Sequence, residues 1–275
     1  MNPVAFTIFG WPVRWYGILI ALGLLIGIFI VTRLAKQRGL NEDHVWTVLL
    51  AAVPCAIIGA RLYYVIFQWE NYGFDLGKIV AVWHGGLAIH GGILGGILAV
   101  FLVCRHYRMS FGSMADCFAP ALSLGQAIGR WGNYINGEAH GYATDLPWAI
   151  EVNGEMVHPT FLYESLWDLA VFFVTLFLFK RAKRNGNIFL WYLMLYSVGR
   201  FIVESFRTDS LMVGPLRQAQ VISIVLFVVA LVIYLGGRRK SAAEPETTNA
   251  VKHNPKGNRA KSERKKQKKQ KKQKK

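Results

Sequence analysis

Seven stretches of about twenty mostly apolar residues divide this chain, at 16–35, 46–68, 86–104, 114–135, 160–179, 188–206 and 217–236. A helix needs roughly that length to cross the hydrocarbon core of a bilayer. Within lipid every backbone polar group must be satisfied by the segment itself or by a closed barrel, and runs this long suit helices. The pattern predicts an all-α integral membrane protein with about seven transmembrane helices. Composition agrees, since 53% of the 275 residues are hydrophobic and the mean hydropathy is +0.29. Pro54, Pro120 and the pair Gly91-Gly92 fall inside spans. They are tolerated where neighbouring helices satisfy the freed backbone or come close. Met1–Pro12 has no basic n-region and no small-residue cleavage site, so the first apolar run is expected to stay as a span.

Charge is uneven. Of the formal +16, residues 238–275 carry +13, leaving +3 for the rest. This sets a membrane body, 1–237, apart from a Lys/Gln-rich tail, 238–275, which is expected to be disordered and cytoplasmic. The tail can meet anionic lipid headgroups. No aromatic residue interleaves its lysines, so nucleic acid is not an expected partner. In the short loops, nine basic residues (Arg33, Lys36, Arg38, Arg105, Arg108, Lys180, Arg181, Lys183, Arg184) lie on one side and four (Arg14, Lys78, Arg207, Arg217) on the other. The richer side is expected to be cytoplasmic, which puts the N-terminus outside. Cys55, Cys104 and Cys117 lack metal spacing and are expected as small core residues.

The loop 137–159 is then external. Within it, Trp148–Val152 and Glu155–His158 flank Asn153-Gly154, a strong hairpin signal. A small external β-hairpin is expected there.

Charges inside spans are costly unless paired or used. Here they are Arg61, Asp116, Arg130, Glu164, Asp168, Arg200 and Glu204. The densest polar run is Gly129-Arg130-Trp131-Gly132-Asn133-Tyr134-Ile135-Asn136-Gly137-Glu138-Ala139-His140-Gly141. In the sixth span, Tyr196, Arg200 and Glu204 recur every four residues and share one helical face. His90 lies about one turn inside the third span. Its unperturbed pKa of about 6.5 makes it the best general-base candidate, with His84 and His140 as competitors. His158-Pro159 opens the fifth span, with Tyr163-Glu164 further along it. All these clusters lie at the external end of their spans, and one site at the outer membrane face accounts for that common level.

The run from Gly129 to Gly141 resembles the signature of bacterial prolipoprotein diacylglyceryl transferases, G-R-x-x-N-[aromatic]-x-N-x-E-x-x-G, and matches it at every fixed position. Arg14-Trp15-Tyr16-Gly17, Gly59-Ala60-Arg61-Leu62, His90-Gly91-Gly92, His158-Pro159, Tyr163-Glu164 and Tyr196…Arg200…Glu204 are similar to that family in the same order. The likeness covers about residues 8–236.

The resemblance implies a multi-pass enzyme of the bacterial plasma (inner) membrane with its site on the external or periplasmic side. It implies transfer of a diacylglyceryl group from phosphatidylglycerol to the lipobox cysteine beside a prolipoprotein's signal-peptide helix. A thioether forms and glycerol phosphate leaves, without metal or organic cofactor. It implies catalytic roles for His90, Arg130, Arg200 and Glu204, and substrate contacts from Tyr16, Arg61, Arg130, Asn133, Asn136, Glu138, Gly141, His158 and Tyr196. The residues fit this chemistry. A thiol must become a thiolate to attack carbon, and a guanidinium holds an anionic phosphate with a planar fork. Two other readings stand beside it: a polytopic transporter and a different phospholipid-modifying enzyme. The first calls for polar groups at the midplane, often in inverted repeats. The second calls for clustered acids around a divalent metal.

Overall fold

A computed structural model describes residues 2–152, 154–182 and 184–243. The chain opens with a hairpin, β1 (Val4–Ile8) and β2 (Trp11–Arg14), turning at Phe9 and Gly10, both at positive φ. It runs straight into α1 (Trp15–Gln37). Asn41 caps α2 (Glu42–Phe67), its side chain accepting from the amides of Asp43 and His44. Glu42 and Asp43 in that first turn suit the positive end of the helix dipole. Two short helices follow, α3 (Trp69–Tyr72) and α4 (Leu76–Val80), before α5 (Ile89–His106).

α5 lies against α2 on glycine. A Cβ on Gly59 or Gly91 would overlap the other's carbonyl, and one on Gly95 would overlap that of Cys55. Small residues that let backbones meet are the usual basis of helix association in lipid, where apolar surface gives no preference for protein over solvent.

Next come α6 (Phe111–Asn136), β3 (Ile150–Val152), β4 (Glu155–Val157), α7 (Thr160–Phe179) and α8 (Asn187–Glu204). The strands pair antiparallel with Ile150 opposite Val157, the hairpin expected around Asn153-Gly154. A two-residue hairpin, β5 (Met212–Val213) and β6 (Leu216–Arg217), leads into α9 (Gln218–Ala243). The first compact unit of the chain is Met1–Ile233. The backbone is helical through Ala243, six residues into the tail expected from composition, and the rest of that expected tail lies outside the described residues.

Among the described residues five helices, α1, α2, α5, α7 and α9 to Gly237, are long and apolar enough to cross a membrane. α6 and α8 are long as well but carry the polar motifs. The fold is therefore a mostly helical membrane protein with small strand pairs. Its outward surface is apolar, with Leu25, Phe29, Leu50, Ile66 and Phe173 all exposed. Inside, the apolar core gathers at one end of the helices. It is built from Val31 and Leu34 of α1, Val45 and Val48 of α2, Cys104 of α5, Met114 and Cys117 of α6, Phe179 of α7 and Ile188 of α8. Cys55 is half-buried, and the three cysteines are free.

Side chains stitch α6, α7 and α8 together. Ser123 donates to the Asp168 carbonyl, Ser165 to that of Ala127, Trp131 to Ser165, and Trp167 to the Leu195 carbonyl. Gly199 leaves the space that the Trp167 indole fills. This three-helix packing positions the candidate site.

Candidate active site

The signature run ends α6 and turns the chain. Gly137, at φ +70°, donates to the Tyr134 carbonyl, and Glu138 donates to that of Asn133 at 3.0 Å. These two bonds form a Schellman motif, which needs a residue tolerant of the left-handed region after the last helical turn. The turn brings Glu138 back onto Asn136, whose Nδ2 donates to Glu138 Oε1 at 3.1 Å. Both side chains stay exposed at the helix end.

One turn or more below that end, charges from three helices meet. Glu164 and Asp168 lie four apart on α7, and Arg200 and Glu204 four apart on α8, so each pair shares a face. Arg130 of α6 sits 2.7 Å from Glu164 Oε2 and 3.9 Å from Asp168 Oδ2. Arg200 pairs with the other oxygen of Glu164, and its Nη2 lies 2.7 Å from Glu204 Oε2. Glu164 thus bridges two arginines from different helices. Its side chain is 5% exposed, while those of Arg130 and Arg200 are 17% and 18% exposed. Asp168 Oδ2 is buried without a hydrogen-bond partner. The row continues outward through Arg207, 3.9 Å from Glu204 and bidentate on Asp209 at 2.9 and 2.7 Å. These hydrogen bonds hold the Asp209 carboxyl below its usual range.

The loops beyond the helices close over this row. Gly141 donates to the His158 carbonyl and pairs with Arg207 as an isolated bridge. A Cβ there would sit 2.6 Å from His158 Cβ and 2.9 Å from the Phe206 carbonyl, so the position has room only for glycine. Arg217 fastens the loop 205–217 by donating to the carbonyls of Glu204 and Arg207 and to the Tyr142 hydroxyl. Thr160 donates to the Ala139 carbonyl.

Residues 3–235 match the prolipoprotein diacylglyceryl transferase family. The chain belongs to that family. It is 48% identical to the phosphatidylglycerol–prolipoprotein diacylglyceryl transferase of Clostridioides difficile over 248 residues, 90% of this chain and 100% of that protein. The proteins of the same description from Finegoldia magna and Bacillus velezensis are 47% and 45% identical, over 86% and 89% of this chain and 95% of each relative.

Within this transferase fold the other expected residues take distinct places. The Tyr16 ring, at the start of α1, fills the space a side chain at Gly132 would need, which ties α1 to the signature helix. Tyr196 stacks on Tyr192 at 6.0 Å and is half-buried one turn below Arg200. His158 Nδ1 lies 3.2 Å from the Tyr163 hydroxyl, and its ring is 5.2 Å from that of Phe206. His90 is the second residue of α5, exposed, with its ring 5.9 Å from Tyr63 of α2. Among the described residues no hydrogen bond or ion pair joins it to the arginine row.

Arg61 is tied to backbone. It is 5% exposed, and its donors all go to carbonyls: Ile79, Lys78, Ala81, Gly85 and Gly86. A guanidinium has five N–H groups, and all five are engaged here. Arg61 holds the segment between α4 and α5. Sequence reasoning also missed Glu164 as the link between the arginines, and missed Arg207, Asp209 and Arg217 as its outer continuation. Only the four-residue spacings of Asp168 from Glu164 and of Glu204 from Arg200 hinted at it.

Proposed function

We infer that this enzyme transfers the diacylglyceryl group of phosphatidylglycerol to the lipobox cysteine of a prolipoprotein, the first step of lipoprotein maturation. Family membership supports the overall reaction. The observation that carries the local reading is the pair of guanidiniums, Arg130 and Arg200, brought together by one carboxylate near the same end of α6 and α8.

The steps follow from that pair. The thiolate attacks the glyceryl carbon that bears the phosphate ester. The S–C bond forms, the C–O bond breaks, and the electron pair leaves with glycerol phosphate. The charge growing on the leaving phosphate is met by Arg130 and Arg200, whose planar forks suit phosphate oxygens. Asn133, Asn136 and Glu138, at the end of α6, orient the glycerol hydroxyls. Glu204 and Tyr196 hold Arg200 on its face, and Tyr16 and Gly141 shape the entry. His90 takes the thiol proton. Arg61 acts at one remove, by keeping the segment before His90 in place.

The seven long helices, α1, α2, α5, α6, α7, α8 and α9, each span the bacterial inner membrane, with the polar faces of α6 and α8 turned inward. The nine-to-four asymmetry of basic loop residues supports an external N-terminus and a site on the periplasmic side. The test is purified protein with labelled phosphatidylglycerol and a lipobox peptide. A peptide gaining the mass of a thioether-linked diacylglyceryl group is expected. A product on a peptide with serine in place of the cysteine, or none with cysteine, overturns the reading.

A further inference from the structure

The arginine pair that the proposed reaction needs for phosphate already has an occupant. Glu164 reaches Arg130 with one oxygen and Arg200 with the other. A carboxylate and a phosphate, diester or monoester, present similar oxygen pairs to a guanidinium fork. Arg130 and Arg200 bring two positive charges, and the carboxylates of Glu164 and Glu204 already face them at ion-pair distance. An anionic phosphate that simply joined this group would meet those carboxylates in a low-dielectric setting, where repulsion between like charges is strong. It must take the place of a carboxylate.

Geometry selects which one. Asp168 approaches only Arg130, at 3.9 Å. Glu204 touches Arg200 from the same helix, four residues on. Of these three carboxylates Glu164 touches both arginines, from a third helix. We propose that Glu164 is a resident counter-ion that the substrate's phosphate displaces from Arg130 and Arg200, and that returns to expel the glycerol phosphate formed. Before phosphate binds it keeps two like charges side by side, a preorganisation they could not hold alone. After transfer it competes with the product anion and drives its release. Glu164 is thus a positioning residue with a second role in turnover. This rests on the function proposed above.

The test measures binding of inorganic phosphate and of glycerol phosphate to the detergent-solubilised full chain, wild type against Glu164→Gln. Removing the competing charge is expected to tighten both anions by about tenfold, ~1.4 kcal/mol. In turnover, KM for phosphatidylglycerol and kcat should fall together, because release slows. A residue that only held the helices would lower kcat with unchanged or weaker anion binding, and that result overturns the proposal. Glu164→Asp keeps the charge but is one methylene too short to span both arginines, and it should tighten the anions by about threefold, a lesser change than glutamine gives. It serves where Glu164→Gln does not fold. If neither variant folds, Glu164 is scaffold and the exchange is wrong. Wild-type transfer to the lipobox peptide tests the function separately. A chain inactive in that assay can still show the affinity ratio, so the two failures are distinguishable.

Discussion

The two ends of the helix bundle both bury an acid, and they do it differently. At the end that holds the apolar core, Asp116 is fully buried. It accepts from the backbone amides of Gly186, Ile188 and Phe189, at 2.9–3.0 Å, and lies 3.3 Å from Arg38. Those amides are the free donors at the start of α8, which any helix must satisfy. At the other end, among the described residues, Glu164 has only guanidiniums, each on a long side chain, and Asp168 keeps an oxygen without a hydrogen bond. Backbone donors cannot leave without unwinding a helix, whereas a guanidinium can change partner by rotating a few bonds. Buried charge alone therefore does not mark a site. The attachment of its partners does.

The largest effect that would sharpen this contrast is on turnover. Arg130→Ala and Arg200→Ala are each expected to lower kcat/KM by about 10³-fold, ~4 kcal/mol of barrier. Lysine should recover only part of it, since it lacks the planar fork. Transfer assays at matched protein levels check this. Near-full turnover in both lysine variants would remove bidentate phosphate recognition from the account. Asp116→Ala should do the opposite. Breaking one partner out of a buried pair costs about 3 kcal/mol of stability or more, so thermal or denaturant stability in detergent should drop while kcat of the folded fraction stays near wild type. Loss of turnover without loss of stability would mean that the two ends do not divide stability from catalysis.

The spans were legible because twenty apolar residues in a row have few alternatives. α6 and α8 were legible for a different reason: their motifs sit at helical spacing, although their polarity keeps them out of the apolar set. The β3–β4 hairpin followed from Asn153-Gly154. The hairpin β1–β2 did not, because Phe9-Gly10 between exposed aromatics reads as interfacial chain. Arg61 shows the limit most plainly. An arginine inside a span invites a ligand, and only the folded chain reveals that five carbonyls from the segment 78–86 surround it. The Glu164 bridge was hidden for the same reason, since it joins α6, α7 and α8 through tertiary packing that no local spacing encodes.

Where the row of charges reaches solvent its weight should fall. Arg207 holds Asp209, half-exposed, with a depressed carboxyl pKa. A folded pKa below the unfolded value, about 3.9, gives stability that is present above that value and lost as pH falls through the lower folded one. Asp209→Asn should therefore lower the melting temperature slightly at pH 7, and the gap to wild type should shrink towards pH 3. A gap of equal size at both pH values would show that the carboxylate charge is not what fastens this loop.

The smallest effect is expected from the tail. The family match ends at residue 235, and the first compact unit ends at Ile233. Every residue placed in the site lies before that point, and Arg217, the last side chain that fastens the loops, begins the turn into α9. Charge on a tail in water is felt across roughly a Debye length, about 8 Å in physiological salt. On the proposed topology the site lies at the far end of spans about 30 Å long. Charge at one face then has no direct path to chemistry at the other. Deleting 244–275 should leave transfer within about twofold of wild type at equal membrane levels, well under the 1.4 kcal/mol that a tenfold change represents. A loss above tenfold that added salt reproduces in the full chain would place the lysines in contact with a substrate or the membrane in a way that turnover depends on. Both ends of the bundle would then contribute to activity, and the division drawn between Asp116 and Glu164 would have to be redrawn.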